Sequence, residues 1–381
     1  MFVMEYLHRV DTFRHAPFTF QSGVDMSAVD TMLLRISDAQ QRFVGSPLSS
    51  VAEQLEKEVV VSSIFGTNSI EGGTLSEEET RQVVALTPEQ VANIEQQRVQ
   101  NIKAAYHYSK TCSGQENWQL DVEFIVHVHK LVTHALPDEH NQPGLLRDNP
   151  KHIVTKVGSA AHGGVYKPPQ CGEDVELLLQ TLVSWHAQLQ EQGLPALIRA
   201  PLVHFYYELI HPFWDGNGRV GRVIEATILQ QAGFQYAPFA QASFYHQHIH
   251  RYFALFNHGR KQAQLKQSFP NTDFVAFFLD GILQSINNLH DRVNFLIGVI
   301  LFDSRVQHLN QSKSINDRQY AIVSQIMRHG PVMLKELGQM PWYRALYIKL
   351  TDKTKSRDLH KLKELGLLRQ ESTGLLVPSS I

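Results

Sequence analysis

The chain has 381 residues, of which 43% are hydrophobic, and a formal net charge of −2 at pH 7. This length predicts two or three domains with well-formed cores, and the small charge excludes a protein that coats nucleic acid with its whole surface. The two cysteines, Cys112 and Cys171, have no metal-binding spacing and form no disulfide framework. No secretory signal is recognisable before Arg9, and the longest apolar run, Val293 to Phe302, is too short to cross a bilayer. We therefore expect a soluble, cytoplasmic protein that does not associate with membranes.

Helical patterns dominate the chain before its C-terminal segment. Ser76 to Glu79 has the sequence of a capping box. Thr87 to Gln90 has another, with proline at the first helical position, and predicts a helix that continues through Tyr106. Helical periodicity also covers Val122 to Leu136 and Asp174 to Gln190. These patterns predict a mainly α fold.

A β-hairpin is predicted after Arg147. Two short β-prone runs, His152 to Val157 and Val165 to Pro169, flank a connection of Gly, Ser, Ala and His residues from Gly158 to Gly164. The simplest alternative is an ordinary surface hairpin without a binding role.

The most informative stretch runs from His211 to Arg222. The segment before it, Ala200 to Ile210, has apolar residues at helical spacing and predicts a helix with one apolar face that ends at His211. Pro212 ends this helix, a tight Asp-Gly-Asn-Gly turn follows, and a second helix is predicted from Gly218 to Ala232. A glycine-rich loop that leads into a helix N-terminus binds anions, and the guanidinium groups of Arg219 and Arg222, three residues apart, suit a di- or triphosphate.

Two other nucleotide motifs and a purely structural interpretation agree less well with this stretch. Gly216 to Gly221 formally matches the G-x-G-x-x-G dinucleotide pattern, but no buried strand precedes it and no acidic residue follows at the required distance. It is not a P-loop, because no Gly-Lys-Ser/Thr follows. A simple connection between two helices, in which His211 only caps the first helix, would not require so many residues suited to phosphate binding in so short a stretch.

The C-terminal segment differs in charge from the rest. Gln311 to Ile381 contains twelve Lys or Arg and six Asp or Glu, so it carries about +6 and the remainder about −8. Helices are predicted at Asp317 to Arg328, Leu334 to Gln339 and Thr354 to Leu365, followed by a hairpin around Glu371 to Gly374. Three helices and a hairpin are the parts of a winged-helix domain. Its third helix carries a basic set that is typical of DNA recognition, namely Lys353, Lys355, Arg357, Lys361 and Lys363. The alternative is a module that packs against the core or against a second subunit in a homodimer.

The string from His211 to Arg222 resembles, without a mismatch, the H-P-F-x-D-G-N-G-R-x-x-R signature of Fic-domain proteins. The resemblance implies a Fic helical core with a small β-hairpin flap, and transfer of AMP from ATP to a hydroxyl side chain of a target protein. It implies that His211 deprotonates the acceptor hydroxyl and that Asp215 holds a Mg²⁺ ion that bridges the phosphates. The loop amides with Asn217 would hold the α-phosphate, and the two arginines would hold the leaving phosphates. The implied ATP-binding residues are Gly216, Asn217, Gly218, Arg219, Val220, Gly221, Arg222 and Tyr252, the last near the adenine.

Thr67 to Gly72 resembles the S/T-x-x-x-E-G/N inhibitory motif of one class of Fic proteins. In that class the glutamate, here Glu71, pairs with the second arginine of the signature, here Arg222, so that ATP binds in an unproductive form. In some relatives the same glutamate also positions a water that removes AMP from the modified target. The resemblance further implies that the hairpin, residues 152–167, aligns a target segment by strand addition. Many members of this class end in a winged-helix domain.

These inferences divide the chain into an N-terminal helical region (1–110), a Fic catalytic domain (111–305) and a winged-helix-like domain (306–381). The favoured function is an autoinhibited protein adenylyltransferase that uses ATP and Mg²⁺. The alternative is a winged-helix DNA-binding regulator whose Fic core senses nucleotide. A third option is an enzyme with another donor, because the family that the chain resembles includes transferases of UMP, phosphate and phosphocholine. The alternating histidines His246, His248 and His250 lack acidic or cysteine partners, so a metal site is not the favoured interpretation.

Overall fold

The computed structural model describes residues 7–137, 140 and 142–379. The first six residues, part of the segment without a recognisable signal, and the last two residues of the basic module lie outside this description. The chain forms two compact units: the first contains the residues up to Gly45 and Ala52–Leu289, and the second contains Ser46–Val51 and the chain from His290 onward.

The first unit is almost entirely helical. It has two antiparallel strand pairs, β1 (Leu7–Val10) with β2 (Phe18–Gln21) and β3 (Val157–Ser159) with β4 (Gly164–Tyr166). Its helices are α1 (Met26–Val44), α2 (Ala52–Ile70), α3 (Glu77–Val84), α4 (Ile94–Ser113), α5 (Val122–Val132), α6 (Gly172–Glu191), α7 (Ala196–Ile210), α8 (Asn217–Gln231), α9 (Ala237–Gln247), α10 (Ile249–Gln264) and the residues of α11 (Thr272–Gln311) before His290.

Helices α7 and α8 form the centre of this unit. Helix α7 is buried on nearly all sides rather than on the single predicted face, because α6, α8 and α10 surround it. Helix α8 packs against α4, α5, α7 and α9 and is buried over most of its length. Since a helix that is apolar all round must be enclosed, the loop between α7 and α8 is fixed at both ends by the core.

Several predicted helix boundaries are confirmed and two require correction. The capping box at Ser76 is present and begins α3. The box at Thr87 begins only a 3₁₀ turn, Pro88–Gln90, because Val91 is extended and the side chain of Asn93 caps α4 instead. Helix α5 ends at Val132 rather than at Leu136. At this end the Thr133 hydroxyl donates a hydrogen bond to the carbonyl of His129.

The predicted hairpin is present as β3 and β4, joined by the 3₁₀ turn Ala160–His162, with Gly163 in the left-handed region at φ +85°. The strands are shorter than the predicted runs. His152 to Lys156 is not a strand, because the side-chain oxygen of Gln170 accepts the N–H of Thr155 at 2.9 Å in place of a neighbouring strand.

The second unit is a small helical module with an antiparallel sheet. After α11 it contains α12 (Asp317–His329), α13 (Leu334–Leu337), α14 (Pro341–Leu346) and α15 (Asp352–Glu364), with strands β5 (Val332–Met333), β6 (Leu368–Gln370) and β7 (Leu375–Pro378) in the order β5-β7-β6. The three predicted helices and the hairpin are confirmed, whereas α14 and β5 were not predicted. Ile322, Leu362 and Leu376 are among its core residues. In the described part of the chain, no helix is both long and apolar enough to span a membrane.

Candidate functional site

The loop between α7 and α8 brings His211 to the end of a buried helix. His211 caps α7 with φ +50° and ψ +63°, and its N–H donates to the carbonyl of Tyr207 at 2.9 Å. A left-handed backbone is uncommon for a residue with a side chain and persists only where the surroundings enforce it. Gly216 also has a positive φ, +81°. The amide side chain of Asn217 closes the loop, since it donates to the carbonyl of Phe213 at 2.8 Å and accepts the N–H of Phe213 at 3.0 Å.

The imidazole of His211 faces a carboxylate that the sequence did not single out. His211 Nδ1 lies 3.6 Å from Glu208 Oε2, and the His211 side chain is 19% exposed. Burial would raise the pKa of Glu208, but the adjacent His211, with His204 and Arg222, outweighs burial and lowers it. Glu208 is therefore an anion, and it can orient the imidazole of His211 so that Nδ1 faces the carboxylate and Nε2 points away from it. The signal that could have found it is its position one helical turn before His211.

Asp215 and Arg219 form an ion pair on the opposite side of the loop. Arg219 Nη2 donates to Asp215 Oδ2 at 2.5 Å, and Nη1 donates to the carbonyl of Val132 at 2.9 Å. The carboxylate of Asp215 remains 40% exposed. Burial opposes ionisation of Asp215, but the charge of Arg219 outweighs burial and lowers the pKa of Asp215. Arg219 is thus directed to the end of α5, whereas Arg222 is directed to α2. The two guanidinium groups therefore point in different directions, although residues three apart lie on the same face of a helix.

Arg222 is buried and paired with Glu71. Arg222 Nη2 donates to Glu71 Oε1 at 2.6 Å, and the side chains are 3% and 25% exposed respectively. Burial works against the charge of Arg222, but the carboxylate of Glu71 more than compensates and raises its pKa. The Nε groups of Arg219 and Arg222 are buried without a hydrogen-bond partner among the described residues. Unsatisfied buried donors of this kind are normally completed by a ligand or by water.

Glu71 also lies over the first turn of α8. A Cβ atom added to Gly218 would collide with Glu71 Oε1 and would lie 3.1 Å from Arg222 Nη1. The first amides of a helix have no intrahelical acceptors and attract anions. Glu71 therefore occupies the space in which an anion would contact both the N-terminus of α8 and Arg222.

A buried polar chain supports Arg222 from behind. Arg222 Nη1 lies 3.5 Å from the Tyr252 hydroxyl, which is 3.0 Å from His204 Nε2. His204 Nδ1 lies 2.6 Å from Glu225 Oε2, and the Tyr245 hydroxyl donates to the same carboxylate. Sequence patterns did not identify His204, Glu225 or Tyr245, because their spacing along the chain carries no motif.

Glu71, Glu208, His211, Arg222 and Tyr252 line one cavity of about 390 Å³ beneath the hairpin. Asp215 and Arg219 are not among its lining residues. Its walls come from the residue that follows α2, from α7, α8 and α10, and from the hairpin. Asn257 of α10 donates to the carbonyls of His162 and Gly164 at 3.0 and 2.9 Å and thereby holds the hairpin over the opening. The lining residues with polar side chains are Glu71, Ser159, His162, Tyr166, Glu208, His211, Arg222, Tyr252 and Asn257.

The remaining predicted site residues lie close to this cavity in different ways. Val220 is buried in the core, and a Cβ on Gly221 would lie 2.8 Å from the ring of His204, so both positions serve packing in this structure. Tyr252 lines the cavity but is stacked on Tyr245, with ring centroids 4.4 Å apart. Among the described residues, no group of three or more His, Cys, Asp or Glu could hold a metal ion, including the histidines around His248.

Residues 119–229 match the family model described as Fic/DOC family. The chain is 27% identical over 207 residues to the protein adenylyltransferase Fic of Nematostella vectensis, covering 53% of this chain and 45% of that protein. It is 27% identical over 215 residues to the protein of the same name from Aedes aegypti, covering 54% of this chain and 39% of that protein. The chain thus contains a segment, residues 119–229, that is similar to the Fic/DOC family. It is a distant homologue of the protein adenylyltransferases named Fic, and it spans less than half of the length of these relatives.

Solved structures agree on the fold. A Fic family protein from Desulfovibrio desulfuricans G20 superposes with a TM-score of 0.57 at 18% identity, covering 93% of this chain and 96% of that one. Fic-1 of C. elegans superposes with a TM-score of 0.54 at 22% identity, covering 71% of this chain and 74% of that one. The predicted mainly α Fic fold with a small hairpin is confirmed.

Proposed function

We propose that this protein transfers AMP from ATP to a hydroxyl side chain of a target protein. The observation that carries the proposal is the convergence of a candidate base, His211, and an anion site, Gly218 with Arg222, on one cavity. A positioned base typically contributes 10² to 10⁴ in rate, and positioned donors at a phosphoryl group contribute a separate electrostatic term. Because both groups face the same space, a triphosphate and an acceptor hydroxyl can meet there.

In the proposed reaction the acceptor oxygen attacks the α-phosphorus of ATP. A new P–O bond forms to the target, the bond between the α-phosphorus and its bridging oxygen breaks, and diphosphate leaves. Nε2 of His211 takes the proton of the hydroxyl, since Nδ1 is the ring nitrogen that faces Glu208. Gly216, Asn217 and Gly218 contribute backbone amides, and Arg222 holds the leaving phosphates once it is released from Glu71.

Asp215 fits a magnesium ligand that works together with substrate phosphates. Mg²⁺ prefers carboxylate and phosphate oxygens and retains several waters, so a single exposed carboxylate suffices. Asp215 is ionised, 40% exposed and held in place by Arg219. The ion would supply neutralisation of the phosphate charge, and Asp215 would fix its place beside the loop.

Autoinhibition by Glu71 is part of the proposal. A guanidinium that donates to a carboxylate at 2.6 Å cannot give the same N–H to a phosphate. We expect ATP to compete with Glu71 and to bind unproductively until Glu71 moves. If Glu71 also positions a water for the reverse reaction, removal of AMP from labelled protein would require Glu71.

The target segment is proposed to bind along the hairpin. Residues 152–167 contain only the two short strands β3 and β4, and Val165 is exposed on them. A peptide that pairs with this hairpin would gain main-chain hydrogen bonds and would carry its hydroxyl toward His211.

Incorporation of label from [α-³²P]ATP into protein tests the proposal. We expect weak labelling by the native chain, stronger labelling by Glu71→Gly, and none by the double variant with His211→Ala, whereas His360→Ala, at an exposed histidine, should not change labelling. Label from [γ-³²P]ATP should not be incorporated, and α-labelled GTP, CTP and UTP identify the donor. Labelling that survives loss of His211 would contradict the role of base, and ATP binding without any labelling would favour the regulator that senses nucleotide.

A second candidate function, DNA binding by a winged helix, is supported by one face of α15. Lys353, Arg357 and Lys361 are exposed and lie four residues apart, so they form one basic strip. The other two members of the predicted set are engaged: Lys355 pairs with Asp352 at 2.9 Å, and Lys363 donates to Gln370 at 2.7 Å.

A mobility shift of the full chain on duplex DNA, measured over a range of salt, tests this candidate. Replacement of the three strip residues by Ala should weaken binding and reduce the slope of log affinity against log salt by about 3, since each phosphate contact contributes ~0.9. The control replaces three exposed cations elsewhere in the second unit, Lys313, Arg328 and Lys335. Absence of retardation at low salt, with dimers in sedimentation, would favour the homodimer instead.

A further inference from the structure

We propose that Arg147 is a positioning residue that fixes the backbone of His211 relative to the two ends of the hairpin. This inference deepens the proposed transfer reaction and rests on it. Arg147 lies just before the hairpin, and no sequence pattern assigned it a role. Its side chain is completely buried, with 0% of its surface exposed.

The guanidinium of Arg147 donates to the carbonyl of His211 twice. Nε lies 3.2 Å and Nη2 lies 3.0 Å from the His211 oxygen. The backbone N–H of Arg147 donates to the carbonyl of the next residue, Pro212, at 2.8 Å. Three hydrogen bonds from one residue therefore fix the two peptide groups at which α7 ends.

The same guanidinium reaches both ends of the hairpin. Nη2 also donates to the carbonyl of Pro169, after β4, at 2.7 Å, and Nη1 donates to the side-chain oxygen of Asn149, before β3. Asn149 in turn donates to the hydroxyl of Thr155 at 2.9 Å. One side chain thus joins the two segments that support the hairpin to the residue proposed as base.

The surroundings of Arg147 indicate that it is retained for the hydrogen bonds that it donates rather than for an ion pair. Among the described residues, Arg147 has no carboxylate within ion-pair distance, and its acceptors are three neutral oxygens. Burial lowers its pKa to about 10, so it remains charged at neutral pH. A buried charge without a counterion is costly, and a fold retains one where its hydrogen bonds fix something specific.

Arg147 stabilises an unfavourable backbone conformation at His211. The last carbonyls of a helix lack intrahelical donors, and the left-handed conformation at φ +50° is unfavourable for a residue with a side chain. The fork of Arg147 satisfies the His211 carbonyl in that conformation. A lysine at this position offers a single ammonium, which cannot reproduce two parallel N–H donors together with a third toward Pro169.

Arg147→Lys should therefore lower kcat and leave ATP binding intact. We expect kcat to fall by about 10- to 100-fold in the Glu71→Gly background, in the range typical of a lost positioned group, with the KM for ATP within about twofold. ATP is held by α8 and Arg222, which Arg147 does not contact. The matched control is Arg199→Lys: Arg199 is a partly buried arginine that donates to Leu194 and Gln190, and it lies outside the cavity lining.

Chemical rescue separates positioning from a general loss of structure. In Arg147→Ala, ethylguanidinium should restore at least part of kcat, whereas ethylammonium at the same concentration should not. A crystal structure of Arg147→Lys should show His211 outside the positive-φ region or the hairpin displaced, and this readout does not require any transfer activity. If Glu71→Gly transfers no AMP, the proposed function fails while the structural readout still tests Arg147. An equal loss of kcat in Arg199→Lys, a raised KM for ATP with unchanged kcat, or an unmoved His211 with full activity would each overturn the proposal.

Discussion

Replacing Glu71 by Gly should increase the proposed AMP transfer and destabilise the protein at the same time. The substitution removes the carboxylate that accepts from Arg222 at 2.6 Å, where the arginine is 3% exposed and the glutamate 25% exposed. A hydrogen bond to a charged group contributes about 1.5–3 kcal/mol net, and the partial exposure of Glu71 places this pair in the lower half of that range. Since ~1.4 kcal/mol corresponds to a factor of ten, release of Arg222 should raise the transfer rate by about 10- to 30-fold.

Glu71→Gly should lower the stability of the protein although it raises the transfer rate. Without Glu71, the guanidinium of Arg222 remains buried, and its hydrogen-bond partners among the described residues are the carbonyl of Thr67 and the hydroxyl of Tyr252, at 3.4 and 3.5 Å. We expect the Tm of the variant to fall by several degrees, since ~1 kcal/mol shifts Tm by ~2–4 °C in a domain of this size. Saturating ATP with Mg²⁺ should recover more stability in Glu71→Gly than in the native chain, because a phosphate then takes the vacant position.

Thermal unfolding with and without ATP, run beside the labelling assay, measures both effects. Glu71→Gln keeps the size of the side chain and removes the charge, so it should give an intermediate result. Glu53→Gln removes another ion pair of the same helix, exposed to solvent, and should change neither quantity. Equal labelling by the native chain and Glu71→Gly, or equal stabilisation by ATP, would refute the inhibitory role of the Glu71–Arg222 pair.

Three further predictions concern the stability of the fold. Burial, with the charge of Arg199, lowers the pKa of His186 from 6.5 to about 3. As pH falls from about 6.5 toward 3, the unfolded chain therefore takes up a proton that the native chain does not, and stability is lost. His186→Gln should remove ~2 kcal/mol of the stability loss that urea unfolding measures between pH 7.5 and pH 5. A Cβ on Gly66 would lie 2.8–2.9 Å from backbone atoms of Ala242, so Gly66→Ala should push α2 from α9 and cost ~1–3 kcal/mol by thermal unfolding, whereas an unchanged Tm would mean that the helices adjust freely. In the second unit, Asp358 is buried and accepts from three side chains; Asp358→Ala should cost ~3–5 kcal/mol, and calorimetry of the full chain should show the loss as an earlier transition.

Local patterns were sufficient for much of the fold. The capping box at Ser76, the helical periodicity around α6 and the turn chemistry after Pro212 each depend on residues within a few positions of one another, and the structure contains all three. The box at Thr87 was misleading for a local reason as well, because a second and better placed cap, Asn93, follows six residues later. Competition between two neighbouring caps cannot be resolved from the pattern of either one.

Long-range contacts were not predictable in the same way. Arg147 reaches His211 across 64 residues and Asp174 accepts the N–H of Phe13 across 161. Nothing in the periodicity of the chain indicates such pairs. The extra strand β5, only Val332–Met333, is likewise defined by its pairing with β7 rather than by its own two residues. Residues that contact others across a long sequence separation, such as Arg147, were therefore missed, whereas the contiguous stretch from His211 to Arg222 could be singled out from its own pattern.

The arrangement around Arg222 would make the proposed inhibition both firm and reversible. Behind the arginine, Tyr252, His204 and Glu225 form a chain whose members are buried inside the helical core. In front of it, Glu71 belongs to the end of α2 and retains access to solvent. Because only the front carboxylate can leave without opening the core, a phosphate can replace it while the rear chain keeps the guanidinium in place. Relief of the proposed inhibition would then require displacement of one side chain, and we expect that outward movement of the end of α2 by the length of a carboxylate would release Arg222.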